Sequence, residues 1–405
     1  MNKKSFLKGA LSGALVMFLI VGTISCGNII KKMDSDSTNN TTTNSETTGS
    51  FEVDDKISVL RQYINEKYMG DIDDADLEDG VYKGLISGLD DPYSEYYTEE
   101  ETKQLLENIS GEYSGIGAIL SQDKDSGAIT ILQVYKDSPA EEAGLMAEDI
   151  LLKVGDRELT SKDDISEVVT HIKGKEGTAV ELTVYREKTK KEVTVKVTRR
   201  MIEAQTVTYE MKEDNIGYIS VSEFDEVTTD QYEKALSDLE GQGMEGLVVD
   251  LRNNPGGSLG TVTAMLDLML PKCLTVYMED KNGERTNFES DAEHTFDKPL
   301  VVLVNGNSAS ASEIFAGAIQ DHKAGTIMGS QTYGKGVVQK TFDLEDGTSV
   351  KLTIAAYFTP NGRNINDVGI TPDKEVEYKE DEENPDADNQ LQESISHIKE
   401  EINAQ

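Results

Sequence analysis

The sequence predicts an α/β fold in which a β-rich domain is inserted between an N-terminal helical region and an α/β core. From residue 201 to about residue 378, short apolar runs alternate with stretches of helical periodicity, a pattern typical of a largely parallel sheet. Residues 111–200 alternate apolar and polar side chains with a period of two, which indicates strands. Residues 51–110 carry apolar side chains at helical spacing. We therefore expect three folded regions with these bounds.

The composition argues against several classes of partner. The chain has 405 residues and a formal net charge of −37, which argues against nucleic acid and against docking on anionic lipid headgroups. Its two cysteines, Cys26 and Cys273, imply no disulfide framework. Four scattered histidines lack the spacing of metal ligands. We therefore expect a protein that needs no metal or cofactor.

The first 33 residues are expected to be an export signal that stays as a membrane anchor. Three lysines precede an uncharged stretch, residues 9–30, that is long enough to span a bilayer. This predicts a single-pass protein of the cell membrane whose body lies outside the cytoplasm. Small residues before Cys26 resemble a lipoprotein cleavage site, so lipid attachment is the main alternative, and a cleaved signal is a third. Residues 34–50 are polar and predict a disordered linker.

Three amphipathic helices are expected in the region that follows. Their apolar residues lie at helical spacing over residues 57–68, 77–89 and 100–109. Between the last two helices, residues 91–97 contain one proline and three tyrosines. We interpret this stretch as a turn with packed tyrosines on which no chemistry depends.

The α/β core contains a serine-rich turn at a point suited to acyl transfer. An apolar run over residues 301–304 predicts a buried strand, and helical periodicity follows it. Ser308, Ser310 and Ser312 therefore lie at a strand-to-helix turn, where free N–H groups and the helix dipole favour negative charge. The tetrahedral intermediate of acyl transfer carries such a charge. The alternative is that these serines only cap the helix.

A lysine between two glycines follows, at the start of a second apolar strand. Lys335 and Gln339 are four positions apart, so they share a face if the strand is extended. A lysine kept neutral by desolvation can serve as general base to a serine. The alternative is that Lys335 is a solvated surface charge.

Taken together, these motifs resemble a known family. Residues 308–313 read SASASE, and with Gly334-Lys335-Gly336 and Gln339 they resemble the active site of the C-terminal processing (tail-specific) peptidases. These are PDZ-bearing serine proteases with a Ser/Lys dyad. The resemblance covers roughly residues 51–375. It implies a crotonase-like core in which Ser310 is the nucleophile, Lys335 the general base and Gln339 the residue that orients the lysine.

The resemblance also assigns an oxyanion hole. Residues 250–257 read DLRNNPGG and resemble the family loop that donates one backbone N–H to the hole. By position the donor is Gly257, and the residue after the nucleophile, Ala311, donates the other. A Pro-Gly-Gly loop by itself is normally only a connection.

Residues 111–200 resemble a PDZ domain of the circularly permuted bacterial type. The resemblance implies that the loop of Gly115, Ile116 and Gly117 binds a peptide's terminal carboxylate, while the peptide adds a strand to the sheet edge. Without that context a Gly-x-Gly is usually a tight turn. In the relatives, a basic residue near this loop couples peptide binding to the active site. Lys173 has that position here, and we expect it to be solvated.

The function implied is a membrane-tethered serine endopeptidase that recognises unstructured protein C-termini through its PDZ domain. A catalytically silent PDZ adaptor is disfavoured by the complete Ser, Lys and Gln set. A crotonase-like acyl-transfer enzyme or thioesterase is disfavoured by the export signal. A hydrolase using His322 is disfavoured because the predicted helix puts it about 18 Å from Ser310. The acidic linker and helix at residues 379–405 are expected to pack on the body or to pair in a homodimer.

Overall fold

The computed structural model describes residues 52–291, 293–380, 384 and 387–404. The chain divides into two compact units, Met1–Glu78 and Asp79–Gln405. The first contains helix α1, Val53–Lys67, and the start of α2, Asp74–Ser87. Among the described helices, none is both long enough and apolar enough to cross a bilayer. The predicted anchor and the polar linker lie outside the described residues.

After the rest of α2, the second unit continues with a strand and a helix that lead into the β-rich region. Strand β1 is Glu95–Tyr97 and helix α3 is Glu99–Ser110. Thr98 caps α3 in a reciprocal pair with Glu101, and Gly111 ends it in the left-handed conformation at φ 72°. The sequence prediction for this helix is confirmed to within one residue at each end.

The β-rich region is joined to the rest of the chain by a two-stranded neck. Strand β2, Glu112–Gly115, pairs antiparallel with β9, Arg200–Glu203. Between them lies a sheet in the order β3-β4-β5-β7-β8, with β6 paired to β5. Its elements are β3 Ala118–Gln122, β4 Ile129–Val134, α4 Pro139–Glu142, β5 Ile150–Val154, β6 Arg157–Glu158, α5 Ile165–Ile172, β7 Ala179–Arg186 and β8 Lys191–Thr198. The strands predicted from the period of two are present.

A six-stranded sheet forms the centre of the α/β core. Its order is β10-β11-β12-β15-β16-β19; β10 runs antiparallel to β11 and the other neighbours are parallel. Its strands are β10 Val207–Met211, β11 Ile216–Val221, β12 Gly246–Asp250, β15 Leu300–Val304, β16 Thr326–Gly329 and β19 Lys374–Glu375. Every residue of β12 and β15 is buried, as expected of strands covered on both faces. The largely parallel sheet predicted from the sequence is confirmed.

Helices cover the two faces of this sheet. Helices α6 Thr228–Gly241, α7 Leu259–Asp267 and α8 Ala311–His322 share one apolar cluster with alternate residues of the strands. Helix α9, Asn389–Ala404, packs on the opposite face, where Ile398 joins Val248 and Val301 in a separate buried cluster. The C-terminal helix therefore packs on its own body.

The second unit also contains an antiparallel sheet, which was not predicted from the sequence. It contains β13 Leu274–Asp280, β14 Arg285–Glu289, β17 Val337–Asp343 and β18 Ser349–Phe358. Strand β18 pairs with β17 and also with β1, so a segment that precedes the β-rich region lies beside the partner of the strand that follows Lys335.

Candidate active site

Ser310 lies at the strand-to-helix turn between β15 and α8. Its backbone has φ 53° and ψ −112°, a conformation that non-glycine residues seldom adopt and that marks a constrained turn. The hydroxyls of its two neighbours bond to the backbone: Ser308 donates to Leu251 O at 2.7 Å and Ser312 to Asn254 O at 3.0 Å. Both neighbours are fully buried, whereas Ser310 is half-buried. Two of the three serines are therefore structural, and Ser310 is accessible.

The carboxylate of Glu313 holds this turn against the loop that carries Lys335. Glu313 is completely buried and accepts four hydrogen bonds. One oxygen accepts from Ser310 N and Lys335 N, each at 2.9 Å. The other accepts from Gly334 N at 2.7 Å and from Thr332 Oγ1 at 2.6 Å. The sequence analysis noted Glu313 only as part of a motif, although a glutamate three residues after a helix-capping serine is a known capping pattern.

Tyr357 forms a second bridge between the same two residues. Its hydroxyl oxygen lies 3.1 Å from Ser310 O and also contacts Lys335 O, so its single proton is shared between two carbonyl acceptors. Burial raises the pKa of Tyr357 well above its ordinary value, so it stays a donor throughout the pH range of interest. Two buried side chains from different elements thus fix the backbone of Ser310 relative to that of Lys335.

The environment of Lys335 suits a general base. Burial lowers the pKa of its amine, and the nearby charge of Lys351 lowers it further. The carboxylates of Asp91 and Glu313 oppose this effect but do not cancel it. The backbone approaches closely, since a Cβ on Gly336 would lie 2.5 Å from Asn366 N. A neutral amine is therefore reached at a lower pH than for a free lysine.

Gln339 bonds to the neighbouring strand. Its Nε2 donates to Thr353 Oγ1 at 3.2 Å, on the neighbouring strand β18. Lys335 precedes β17, and the β17–β18 register shifts between Val338 and Gln339. The shift places an extra residue of β18, Ile354, opposite the step from Val338 to Gln339. That Gln339 orients Lys335 stays a prediction.

The glycine-rich loop after β12 packs directly on the Ser310 turn. A Cβ on Gly256 would lie 2.8 Å from Ser310 Cβ and 3.0 Å from Ala311 N. The N–H of Gly256 already donates to Asn254 Oδ1 at 2.8 Å. Gly257 has φ 146° and forms a β-bridge with Phe224. The structure thus brings Gly256 against Ser310 and Ala311, whereas the contacts of Gly257 are with Phe224.

The predicted peptide-binding loop lies between the neck and β3. Gly115 is the last residue of β2, Ile116 is buried and Gly117 has φ 78°. The N–H of Ala140 donates to Ile116 O at 2.8 Å, so the loop is held against the start of α4. A Cβ on Gly117 would lie 2.5 Å from Ser138 Cβ, which explains the glycine.

Lys173 is not solvated, and that expectation is wrong. Its amine bonds Glu107 Oε2 at 2.8 Å and lies 4.8 Å from the ring centroid of Tyr113. These partners come from α3 and β2, so the lysine joins the β-rich region to the elements at the neck. An ion pair reinforced by an aromatic face explains its partial burial.

The turn at residues 91–97, on which the sequence analysis placed no chemistry, lies next to Lys335. The Lys335 Nζ lies 4.7 Å from the ring centroid of Tyr93. The local sequence pattern does not predict this contact, because the two residues are far apart in the chain. The pairing of β1 with β18 brings them together. Across the described residues, no group of three or more histidine, cysteine, aspartate or glutamate side chains is placed to hold a metal ion.

Three stretches of the chain match known protein families. Residues 4–102 match the activating protease CtpB N-terminal domain, residues 114–197 a PDZ domain, and residues 215–376 peptidase family S41. The carboxy-terminal processing protease CtpA of Bacillus subtilis is 38% identical over 324 residues, which cover 80% of this chain and 69% of that protein. The chain belongs to the carboxy-terminal processing peptidases.

Other members of this family are also similar to the chain. The "Probable CtpA-like serine protease" of Staphylococcus haemolyticus is 37% identical over 324 residues. That match covers 79% of this chain but only 64% of the staphylococcal protein, so the chain spans less than two thirds of its length. A solved structure from Bacteroides fragilis, assigned to the S41 proteases, superposes with a TM-score of 0.51 at 18% identity and covers 82% of this chain and 92% of its own. The predicted family of serine-type endopeptidases, with an S41 peptidase fold and a PDZ domain, is confirmed.

Proposed function

We propose that this chain is an extracytoplasmic serine endopeptidase that binds unstructured protein C-termini through its PDZ domain and cleaves them with Ser310 and Lys335. The observation that carries the proposal is the pair of buried bridges, from Glu313 and Tyr357, between the backbones of these two residues. A buried carboxylate with four donors is a costly arrangement that fixes geometry. Its position between the serine and the lysine supports a shared chemical task for them.

In the proposed reaction, Lys335 Nζ takes the proton of the Ser310 hydroxyl while Oγ attacks the substrate carbonyl. The N–H groups of Gly257 and Ala311 stabilise the oxyanion that forms. The ammonium of Lys335 then returns the proton to the leaving amine as the C–N bond breaks. Water, deprotonated by the same lysine, hydrolyses the acyl-enzyme. Gln339 contributes by holding the neighbouring strand through Thr353 and so limits where the lysine can move.

Substrate selection is assigned to the PDZ domain. The loop of Gly115, Ile116 and Gly117 would bind the terminal carboxylate, and the peptide would extend the sheet edge. The ion pair of Lys173 with Glu107 lies at the neck and supports communication between this domain and the core. We also propose the domain bounds predicted from the sequence. They are 1–33 for the anchor, 34–50 for the linker, 51–110 for the helical region, 111–200 for the PDZ domain, 201–378 for the peptidase core and 379–405 for the acidic linker and C-terminal helix.

The remaining parts of the proposal concern architecture and location. A crotonase-like core is supported by a parallel sheet with an oxyanion turn at the carboxyl end of β15. We propose that the N-terminal segment tethers the body outside the cytoplasm, as a spanning helix or through a lipid on Cys26. We also propose that the chain forms a homodimer. This is supported by the apolar side chains that α1 exposes, among them Leu60 and Tyr63. Light scattering of the detergent-solubilised chain measures whether it is a monomer or a dimer.

The decisive experiment is single-turnover cleavage of fluorescein-labelled casein by the full chain and its variants. Ser310→Ala, Lys335→Ala and Lys335→Arg should each abolish cleavage, because guanidinium stays protonated at any usable pH. Exposed Lys340→Arg is the matched control and should cut at the parental rate. Cleavage by Lys335→Arg close to the parental rate would exclude Lys335 as the base. A Cys26→Ala change should release the body from the membrane only if a lipid is the anchor.

A further inference from the structure

The segment from Asp91 to Tyr97 is held next to the candidate active site by strand pairing and hydrogen bonds. Strand β1 pairs with β18 in the register Glu95–Lys351, Tyr96–Val350 and Tyr97–Ser349. Just before β1, Ser94 Oγ accepts from the Thr353 N–H at 3.0 Å, across 259 positions of sequence. The same hydroxyl donates to Asp91 Oδ2 at 2.5 Å. The turn is thus fixed to the strand that also contacts Gln339.

Within this turn, the ring of Tyr93 faces the Lys335 amine. Tyr93 N–H donates to Asp91 Oδ1 at 3.1 Å. The backbone of the residue is therefore held. The distance of 4.7 Å from Lys335 Nζ to the ring centroid lies within the range of a cation–π contact.

We infer that Tyr93 is a positioning residue for the general base: its ring stabilises and locates the Lys335 ammonium formed when Ser310 gives up its proton. The inference rests on the proposed Ser310/Lys335 chemistry. Asp91 contributes by fixing the turn that carries the ring. In the step concerned, the Ser310 O–H bond breaks, the proton moves to the Lys335 lone pair, and the new ammonium then meets the aromatic face.

An aromatic face suits this task better than a directly bonded carboxylate. A carboxylate in contact with the lysine would favour the ammonium so strongly that the amine would seldom be neutral near pH 7. A ring favours the ammonium by roughly ten-fold when the contact is desolvated. That is enough to stabilise the transient charge without trapping the proton.

The first test measures the lysine directly and needs no catalysis. In a Ser310→Ala background, competitive labelling of the full chain with acetic anhydride across pH, read by mass spectrometry, gives the pKa of Lys335. Tyr93→Leu should lower that pKa by about one unit, whereas Tyr93→Phe should leave it within about 0.3 unit, since the ring is kept. Tyr378→Leu, at an exposed tyrosine, is the control. Equal pKa values for Tyr93→Leu and Tyr93→Phe would overturn the inference.

A second series keeps the size of the side chain. Phenylalanines with increasing numbers of ring fluorines, placed at position 93, weaken the negative face of the ring without removing it. The Lys335 pKa should fall steadily along the series, and a flat series would overturn the inference even if Tyr93→Leu fails to fold. In single-turnover cleavage of labelled casein, the acid limb of Tyr93→Leu should move to lower pH by about one unit, with a plateau about three- to ten-fold lower.

These results separate the inference from the proposed function. If Ser310→Ala still cleaves casein, the proposed function fails whatever the lysine pKa does. If Ser310→Ala is inactive and the pKa of Lys335 does not change with the ring at position 93, only the role of Tyr93 is contradicted.

Discussion

The carboxylate of Glu313 accepts the backbone N–H of Lys335, so the residue that organises the start of α8 also places the proposed base. A glutamine at this position would keep one acceptor oxygen but would turn an amide donor towards backbone donors. We expect Glu313→Gln to lower cleavage more than 100-fold. The Tm of the full chain should fall by about 5–10 °C, because buried donors lose their acceptor. Exposed Glu192→Gln, measured by the same calorimetry and casein assay, should change neither value.

Lys351 provides a second cation near Lys335 and thereby helps to keep its pKa low. Lys351→Met removes that charge, so the pKa of Lys335 should rise. Since the neutral amine is the active form, the rise of activity with pH should move to higher pH, by about half a unit. Casein cleavage measured from pH 6 to pH 10 tests this, with exposed Lys340→Met as control. A shift to lower pH would contradict the assigned electrostatics.

Thr353 anchors Gln339 through its hydroxyl. Thr353→Val keeps the shape of the side chain and removes the acceptor, leaving the Gln339 amide without this partner. We expect a loss of turnover of about ten-fold and a small change in Tm. Gln339→Ala should lose most activity as well. If the double variant is no worse than Gln339→Ala alone, the two residues act as one unit; fully additive losses would show that they act separately.

The sequence predicted the parts of this fold that local periodicity controls. Strands β4 and β5 lie in the region where the alternation of apolar and polar residues indicates strands, because one or both faces are buried. The Ser310 turn was found for a similar reason, since an apolar strand, small residues and an apolar helix face follow each other directly.

The parts it did not predict depend on contacts distant in sequence. Strands β13 and β18 belong to an antiparallel sheet with partly exposed residues, so their pattern is weaker. Tyr93 reaches Lys335 only because β1 pairs with β18. The irregular register between β17 and β18 also depends on this pairing, and no residue of β17 signals it.

Peptide C-termini test the PDZ assignment. If the loop of Gly115, Ile116 and Gly117 accepts a terminal carboxylate, amidation should slow cleavage of otherwise identical unstructured peptides about ten-fold. The effect should appear in KM rather than in the rate of an already bound substrate. Apolar last residues should bind best. Equal rates for the acid and amide forms would exclude selection of C-termini by this loop.

Asp225 should make stability depend on pH. Burial and the neighbouring carboxylate of Glu223 raise the pKa of Asp225 from 3.8 to about 7. Between these pH values the folded state binds more protons than the unfolded state, so the free energy of unfolding falls as pH rises from 4 to 7. Asp225→Asn should therefore raise that free energy at pH 8 by about 2–4 kcal/mol and have little effect near pH 4. Denaturant unfolding at both pH values measures this, with exposed Glu226→Gln as control; equal gains at both would contradict the raised pKa.

The neck of β2 and β9 places the entrance and exit of the β-rich domain side by side, with Glu112 opposite Glu203 and Gly115 opposite Arg200. An Asn-Gly turn joining those last two positions would close the neck into a hairpin and leave the order of the core strands untouched. The β-rich domain is thus inserted at a single point of the core. Under the proposed function, the part of the chain that selects a substrate could therefore be replaced without changing the order of the strands that carry the cleavage site.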